Sequence, residues 1–257
     1  MVLQSEMYDI TIVGAGPVGL YATYYAGLRD CRTKIMEMYP EVGGRLISMY
    51  PEKEIFDVAG HPKIVAAELV RLLKEQAMQY RPTVVLHERV TGLRVLGERV
   101  IELTTEQGIH YSQTAIIAVG SGAFVPRKLD IPHLIDLEGN GIYYYLQSLE
   151  SLRGKKVLIV GGGNSAVDWA LSLEGIAAEI TLAHRMYKFQ AHEAMVDKLL
   201  ASSVRVMFPY FTLKAVLGED RVTGAVIWNE RSGKEEEIAV DAIVLSIGML
   251  TNLEPFR

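Results

Sequence analysis

Residues Tyr8 to Glu37 read YDITIVGAGPVGLYATYYAGLRDCRTKIME. A short apolar run (Ile10, Ile12, Val13) leads into a glycine turn, a helical pattern and a second apolar run that ends in an acid. Gly14, Gly16 and Gly19 fit G-x-G-x-x-G, with Pro17 and Val18 inside the turn. The first glycine permits the tight turn, the second lets backbone approach a pyrophosphate, and the third lets helix and strand pack closely. The following helix turns free N–H groups and a partial positive charge towards the phosphates. Glu37 closes the second strand near the roughly 20-residue spacing expected of a carboxylate that holds a ribose. Strand, turn, helix, strand and acid in register point to a dinucleotide site.

The pattern recurs. Lys156 to Val160 is an apolar strand, Gly161 to Ala166 (GGGNSA) is the turn, and Val167 to Leu173 continues as a helix. Gly161, Gly163 and Ala166 fit G-x-G-x-x-A, with Asn164 and Ser165 opening the helix. The next strand, Glu179 to Ala183, ends in His184-Arg185. The count that leads from Gly19 to Glu37 leads from Ala166 to His184, so a cation stands where the first unit has an acid. A cation there suits a 2′-phosphate, and Lys188 is a second candidate for it, so this site leans towards NADP.

Around these two units the chain reads as α/β. The expected fold is two Rossmann-like, three-layer (β/β/α) dinucleotide-binding subdomains, the first interrupted by the second. The boundaries expected are 1–121 with 244–257 for the first and 122–243 for the second. Met38 to Pro62 is a long connection marked by glycine and proline, and long loops in compact domains tend to carry function. Pro62 suits the first turn of a helix, whose apolar stripe is Val65, Leu69, Leu72, Leu73 and Ala77. Short β-like runs from Val84 to Tyr111 suggest a small antiparallel meander before the main sheet resumes at Thr114 to Val119. Further β segments run from Val204 to Val240, and Ala242 to Ile247 is one more buried strand.

Composition removes several alternatives. A net charge of −5 over 257 residues gives no basic field for nucleic acid. No apolar run approaches the roughly 20 residues of a membrane helix, and no charged n-region precedes an apolar core, so a cytoplasmic protein is expected. Cys31 is the only cysteine, which excludes an intrachain disulfide, a C-x-x-C pair and a multi-cysteine metal site. The six histidines show no metal spacing, and no metal is expected.

The order of motifs resembles the flavoprotein pyridine-nucleotide reductases of the thioredoxin-reductase type. Within that group it is most similar to the ferredoxin/flavodoxin–NADP+ reductases built on the same scaffold. The residues that carry the likeness are GAGPVGLY (14–21), YPEKEIFDVAGHPK (50–63), GSGAFVPRKL (120–129), GKKVLIVGGGNSAVDWAL (154–171) and the run from His184 to Glu193. The resemblance implies FAD in the first site, with Glu37 on the adenosine ribose, Gly44, Arg45 and Leu46 near the flavin, and Tyr50 stacked on it. It further implies Val90 at the adenine through its backbone, Gly120 and Phe124 against the cofactor, and NADPH across the second turn. Asp57 is a candidate for tuning the flavin or for capping its loop. No side chain is nominated as catalytic, because hydride passes between nicotinamide and flavin directly.

Three departures from the family pattern shape the expectations. Tyr144-Tyr145-Leu146-Gln147 stands where thioredoxin reductases have their C-x-x-C, so disulfide reduction has no chemistry to run on. Arg45 replaces a common glutamine and brings a fixed charge towards the flavin. The family also implies a further C-terminal stretch that closes the FAD domain with an A-x-G-D motif, so this chain is expected to lack it and to hold FAD weakly. The implied reaction is hydride transfer between NADPH and FAD, with single electrons passed to or from ferredoxin or flavodoxin, in a full-length homodimer. Two other readings remain open at this point: an NAD(P)H oxidase or quinone-type flavoprotein, and a flavin-deficient nucleotide-binding fragment.

Overall fold

The computed structural model describes residues 7–120, 122 and 125–250. Two compact units emerge, one within residues 7–122 and the other over Val125–Leu250.

The first unit starts with β1 (Met7–Val13), α1 (Pro17–Leu28) and β2 (Thr33–Met36). Pro17 occupies the first helical turn, where its missing N–H is no loss. After α1 and β2 come α2 (Arg45–Ser48), the two-residue strands β3 (Glu54–Ile55) and β4 (Ile64–Val65), and α3 (Ala66–Met78). The unit continues through β5 (Thr83–Val85), β6 (Val90–Gly97), β7 (Val100–Thr105) and β8 (Ile109–Ile117). All but β3 and β4 join one six-stranded sheet in the order β5-β2-β1-β8-β7-β6. Ile12, Leu20, Ile35, Val70 and Ala77 cluster between sheet and helices, and Val13, Met36, Val90 and Leu103 form a second cluster. Each fully buried side chain of this kind contributes about 1.5–3 kcal/mol.

Three expectations change here. The meander is no separate insertion. Ile109–Ile117 is one continuous strand, antiparallel to β7 along its first half and parallel to β1 along most of its length. Thr83–Val85 is the parallel edge strand beside β2, outside any meander. Pro62 does not open the helix either, because Ile64–Val65 first pairs with Glu54–Ile55 and α3 begins at Ala66.

The second unit contains β9 (Val125–Pro126), β10 (Ile142–Tyr143), β11 (Lys156–Val160), α4 (Asn164–Ser172), β12 (Glu179–Ala183) and α5 (Glu193–Leu200). It continues through β13 (Arg205–Met207), β14 (Phe211–Leu217), β15 (Gly224–Asn229), β16 (Glu235–Ala239), β17 (Ala242–Leu245) and β18 (Met249–Leu250). A parallel sheet runs β10-β17-β11-β12-β13, and β14-β15-β16 form an antiparallel layer. Leu158, Ile243 and Leu245 from the first share a core with Leu213, Ala225 and Ile227 from the second.

The boundary expected at 244 moves. Ala242 to Leu245 are all buried and pair with β11 on one side and β10 on the other. Val244 and Leu245 therefore complete the second unit's sheet, and that unit runs on to Leu250.

Candidate dinucleotide site

The first glycine turn opens into a cavity of about 520 Å³ within the first unit. Gly14, Gly16, Pro17 and Val18 form one part of its wall, Gly44, Arg45, Leu46 and Tyr50 another. Glu37, Val90 and Gly120 complete the set of predicted residues that reach it. Gly14 has φ +101°, and a β-carbon there would lie 2.5 Å from the Ala118 carbonyl oxygen. Gly19 is absent from the wall. A β-carbon on it would collide with the Gly14 carbonyl oxygen, so this glycine serves the helix–strand contact. Asp57 is exposed in the loop between β3 and β4 and forms no part of the wall. Phe124 lies outside the described residues.

Glu37 is 6% exposed, and both its oxygens are engaged. Oε2 accepts the Ala15 N–H at 2.9 Å, and Oε1 accepts the Met38 and Tyr39 N–H groups at 2.8 and 3.2 Å. The carboxylate thus fixes the glycine turn to the end of β2. Burial pushes its pKa up, against the opposing pull of those three N–H donors. A carboxylate has about four lone-pair sites, so three bonds leave room for a hydroxyl.

Sequence reasoning missed Glu88, which also lines the cavity. Its Oε1 lies 2.6 Å from both Thr105 Oγ1 and His110 Nε2, and His110 Nδ1 lies 2.9 Å from Lys34 Nζ. Burial opposes ionisation of Glu88, but the bonds from Thr105 and His110 and the charge of Lys34 outweigh it and hold the carboxyl below its ordinary range. Lys34 is itself buried, which pushes its ammonium down. No local pattern announces this chain, because its members come from four separate strands and loops.

The cavity's lining fits a dinucleotide. β-Carbons at Gly16 and Gly120 would meet nothing within 4 Å, so open space faces the backbone at both. Arg45 Nη2 is buried and has no partner among the described residues. The N-terminus of α1 carries no side-chain cap and no acidic residue in its first turn, so none of the helix's own side chains occupies its first N–H groups.

The second turn repeats the device. Gly161 has φ +145° and lies against the Ser246 carbonyl, while a β-carbon at Gly163 would meet only open space. α4 also lacks a side-chain cap and a first-turn acid. Ala166 is fully buried, and Ser165 is exposed in the first helical turn. Asn164 Oδ1 accepts the His192 N–H at 2.9 Å and ties the turn to the start of α5.

His184 does not stand where the sequence suggests. It is 3% exposed, stacked on Phe208 at 5.9 Å, tilted against Phe189 at 4.9 Å, and bonded through Nε2 to the Lys188 carbonyl at 3.0 Å. A β-carbon at Gly162 would collide with its ring. His184 therefore supports the turn from below, and Gly162 is the glycine that admits it. The Gln190 N–H bonds the Gly162 carbonyl at 2.8 Å, so the loop after β12 returns to the glycine turn. Between these anchors Arg185 and Lys188 are exposed, with no ion pair among the described residues.

A family model for the pyridine nucleotide-disulphide oxidoreductases matches residues 8–256. This chain belongs to that family. A ferredoxin–NADP reductase of Geobacillus thermodenitrificans is 43% identical over 98% of this chain and 76% of its own length. Ferredoxin–NADP reductase 2 of Bacillus subtilis is 42% identical, with the same coverage of each. The thioredoxin reductase of Lactococcus lactis superposes with a TM-score of 0.83 at 25% identity, covering 94% of this chain and 78% of that one. That of T. acidophilum reaches the same TM-score at 23% identity, over 95% and 78%. The expected pairing of Rossmann-like subdomains holds for this pyridine nucleotide-disulphide oxidoreductase, and family and relatives together support an NADPH-linked flavoprotein oxidoreductase. The disulphide of the family description has no intrachain counterpart here, since Cys31 is the only cysteine. Among the described residues no helix is long and apolar enough to cross a membrane, and no cluster has the composition of a metal site.

Proposed function

We propose that this chain is a ferredoxin/flavodoxin–NADP+ reductase, with FAD held by the first unit and NADPH by the second. The observation that carries the reading is one turn built twice with opposite chemistry at the end of its second strand. Glu37, tied to Ala15, is an acceptor for a free ribose hydroxyl. Arg185, exposed beside the second turn, is a donor for a 2′-phosphate. The first unit's cavity adds a wall suited to the larger cofactor, with Tyr50 offering a ring to a flavin and Val90 a backbone edge to an adenine.

FAD, when bound, supplies the difficult chemistry by accepting two electrons together as hydride and releasing them singly. The protein's own residues bind and orient. The two glycine turns admit phosphates close to backbone, Glu37 fixes the first turn, and His184 and Gly162 fix the second. No side chain is assigned a proton transfer in the hydride step. The relatives named ferredoxin–NADP reductase support a one-electron carrier as partner, and the lone cysteine argues against a dithiol one.

Stopped-flow oxidation of the reduced, FAD-loaded protein tests this reading. Electrons are expected to pass faster to ferredoxin or flavodoxin than to oxygen or a quinone. Faster transfer to oxygen or quinone would instead make the chain an oxidase or diaphorase.

A further inference from the structure

Glu88 brings to the first cavity a carboxylate with one oxygen engaged and the other free. It lines the wall, and its side chain is 13% exposed. Oε1 accepts the Thr105 hydroxyl and the His110 Nε2–H, each at 2.6 Å. Lys34 fixes that tautomer. An ammonium only donates, so His110 Nδ1 accepts from Lys34 Nζ at 2.9 Å and Nε2 keeps the proton. Oε2 makes no hydrogen bond among the described residues and keeps an accessible surface. With Oε1 turned towards β7 and β8, Oε2 is the polar side-chain atom that Glu88 offers the cavity.

Chemistry and place together limit what this oxygen can bind. Burial opposes ionisation, but the bonds from Thr105 and His110 and the charge of Lys34 hold the carboxyl below its ordinary range. At neutral pH it is therefore an acceptor only. The Glu88 N–H bonds the Glu37 carbonyl at 3.1 Å, which sets it beside the carboxylate that suits the adenosine ribose. Val90, whose backbone suits the adenine, follows on the same wall. The base at that end has acceptors at its ring nitrogens and one donor, the exocyclic 6-amino group. A 6-oxopurine has a carbonyl there, and two acceptors would face each other.

We propose that Glu88 selects the base of the dinucleotide bound in the first unit, accepting a hydrogen bond from the adenine 6-amino group through Oε2 and rejecting 6-oxopurines. This rests on the FAD reading of the cavity and adds to it a specificity-determining side chain. Thr105, His110 and Lys34 act through Glu88 and are positioning residues.

Calorimetric titration of the flavin-free chain with ADP and with inosine diphosphate decides the matter. The two probes share ribose and diphosphate and differ only at the C6–N1 edge of the purine. The wild type is expected to prefer ADP by roughly tenfold to a hundredfold, as one hydrogen bond to a charged group gives. In Glu88→Gln the amide carbonyl stays with the donors Thr105 and His110, so the amide nitrogen turns towards the base. A donor there suits the oxo group. The preference for ADP is therefore expected to fall at least tenfold, with inosine diphosphate bound more tightly than by the wild type. Glu88→Ala is expected to narrow the preference without reversing it, and is read by the same ratio if Glu88→Gln does not fold. An unchanged ratio, or equal weakening of both probes, would overturn the inference and make Glu88 a brace for its segment or a ribose contact. A wild type that binds both probes equally would overturn it too. A wild type that binds neither would overturn the FAD reading beneath it as well.

Discussion

Arg185 and Lys188 are exposed cations on a loop whose ends are pinned by His184 and Gln190. A single charged contact is worth about 1.5–3 kcal/mol, which is roughly tenfold to a hundredfold in affinity. Replacing Arg185 by Ala is therefore expected to remove most of the preference for NADPH over NADH and to leave NADH binding nearly unchanged, measured as the ratio of the two dissociation constants. Equal weakening of both coenzymes would mean that Arg185 serves the loop and not the phosphate. Two carboxylates of the first unit respond to pH in opposite senses. Glu37 is raised above its ordinary value of 4.5, so its contribution to stability is present below that value and lost as pH rises through the folded pKa. Glu88 is lowered, so its contribution is present above 4.5 and lost as pH falls through the folded pKa. Glu88→Gln is thus expected to narrow the difference in urea midpoint between neutral and acid pH, and a widened difference would contradict the assignment. Glu37 was legible from spacing alone. The Glu88–His110–Lys34 chain was not, because its contacts join residues far apart in sequence and only the sheet order brings them together.

The strand–turn–helix element makes sharper demands than its consensus states. Gly19 and Gly162 look alike as small residues in a turn, yet one faces the Gly14 carbonyl and the other faces the His184 ring. Gly19→Ala forces a β-carbon into fixed backbone and is expected to cost about 1–3 kcal/mol or more in urea unfolding. Gly162→Ala meets a side chain, so a second substitution can relieve it. His184→Ala in that background is expected to recover part of the lost stability, whereas additive losses would mean that the two do not touch. Local periodicity disclosed β1, α1, β2 and their counterparts because each is a short segment with its own pattern. It split β8 into two pieces because polar Ser112 and Gln113 interrupt the apolar run, while the pairing with β1 runs past them from Tyr111 to Ile117. The same limit misplaced the start of α3, where two residues pair as a strand before the helix begins.

At the scale of the whole chain, the repeat of one strand–turn–helix device in two units was visible from the sequence, as was the first boundary between the units to within three residues, whereas the return boundary was not. Ala242 to Leu245 reads as an apolar strand in either unit, and only its pairing with β10 and β11 assigns it. Cys31 bears on the whole reaction because it is the only thiol. Cys31→Ser is expected to leave the rate of electron transfer to a one-electron carrier unchanged, and neither form is expected to reduce a thioredoxin-like disulfide. Loss of carrier reduction in the serine variant would show that the thiol takes part.

The central claim is that two adenine dinucleotides with different ribose chemistry meet their own units of one chain and exchange hydride. Anaerobic titration of the FAD-loaded protein with NADPH, followed by visible absorbance, tests it most directly. The account predicts that the flavin absorbance bleaches with one equivalent of NADPH and at a clearly higher concentration of NADH. A protein that retains no flavin when FAD is supplied, or whose bound flavin NADPH leaves oxidised, would contradict it.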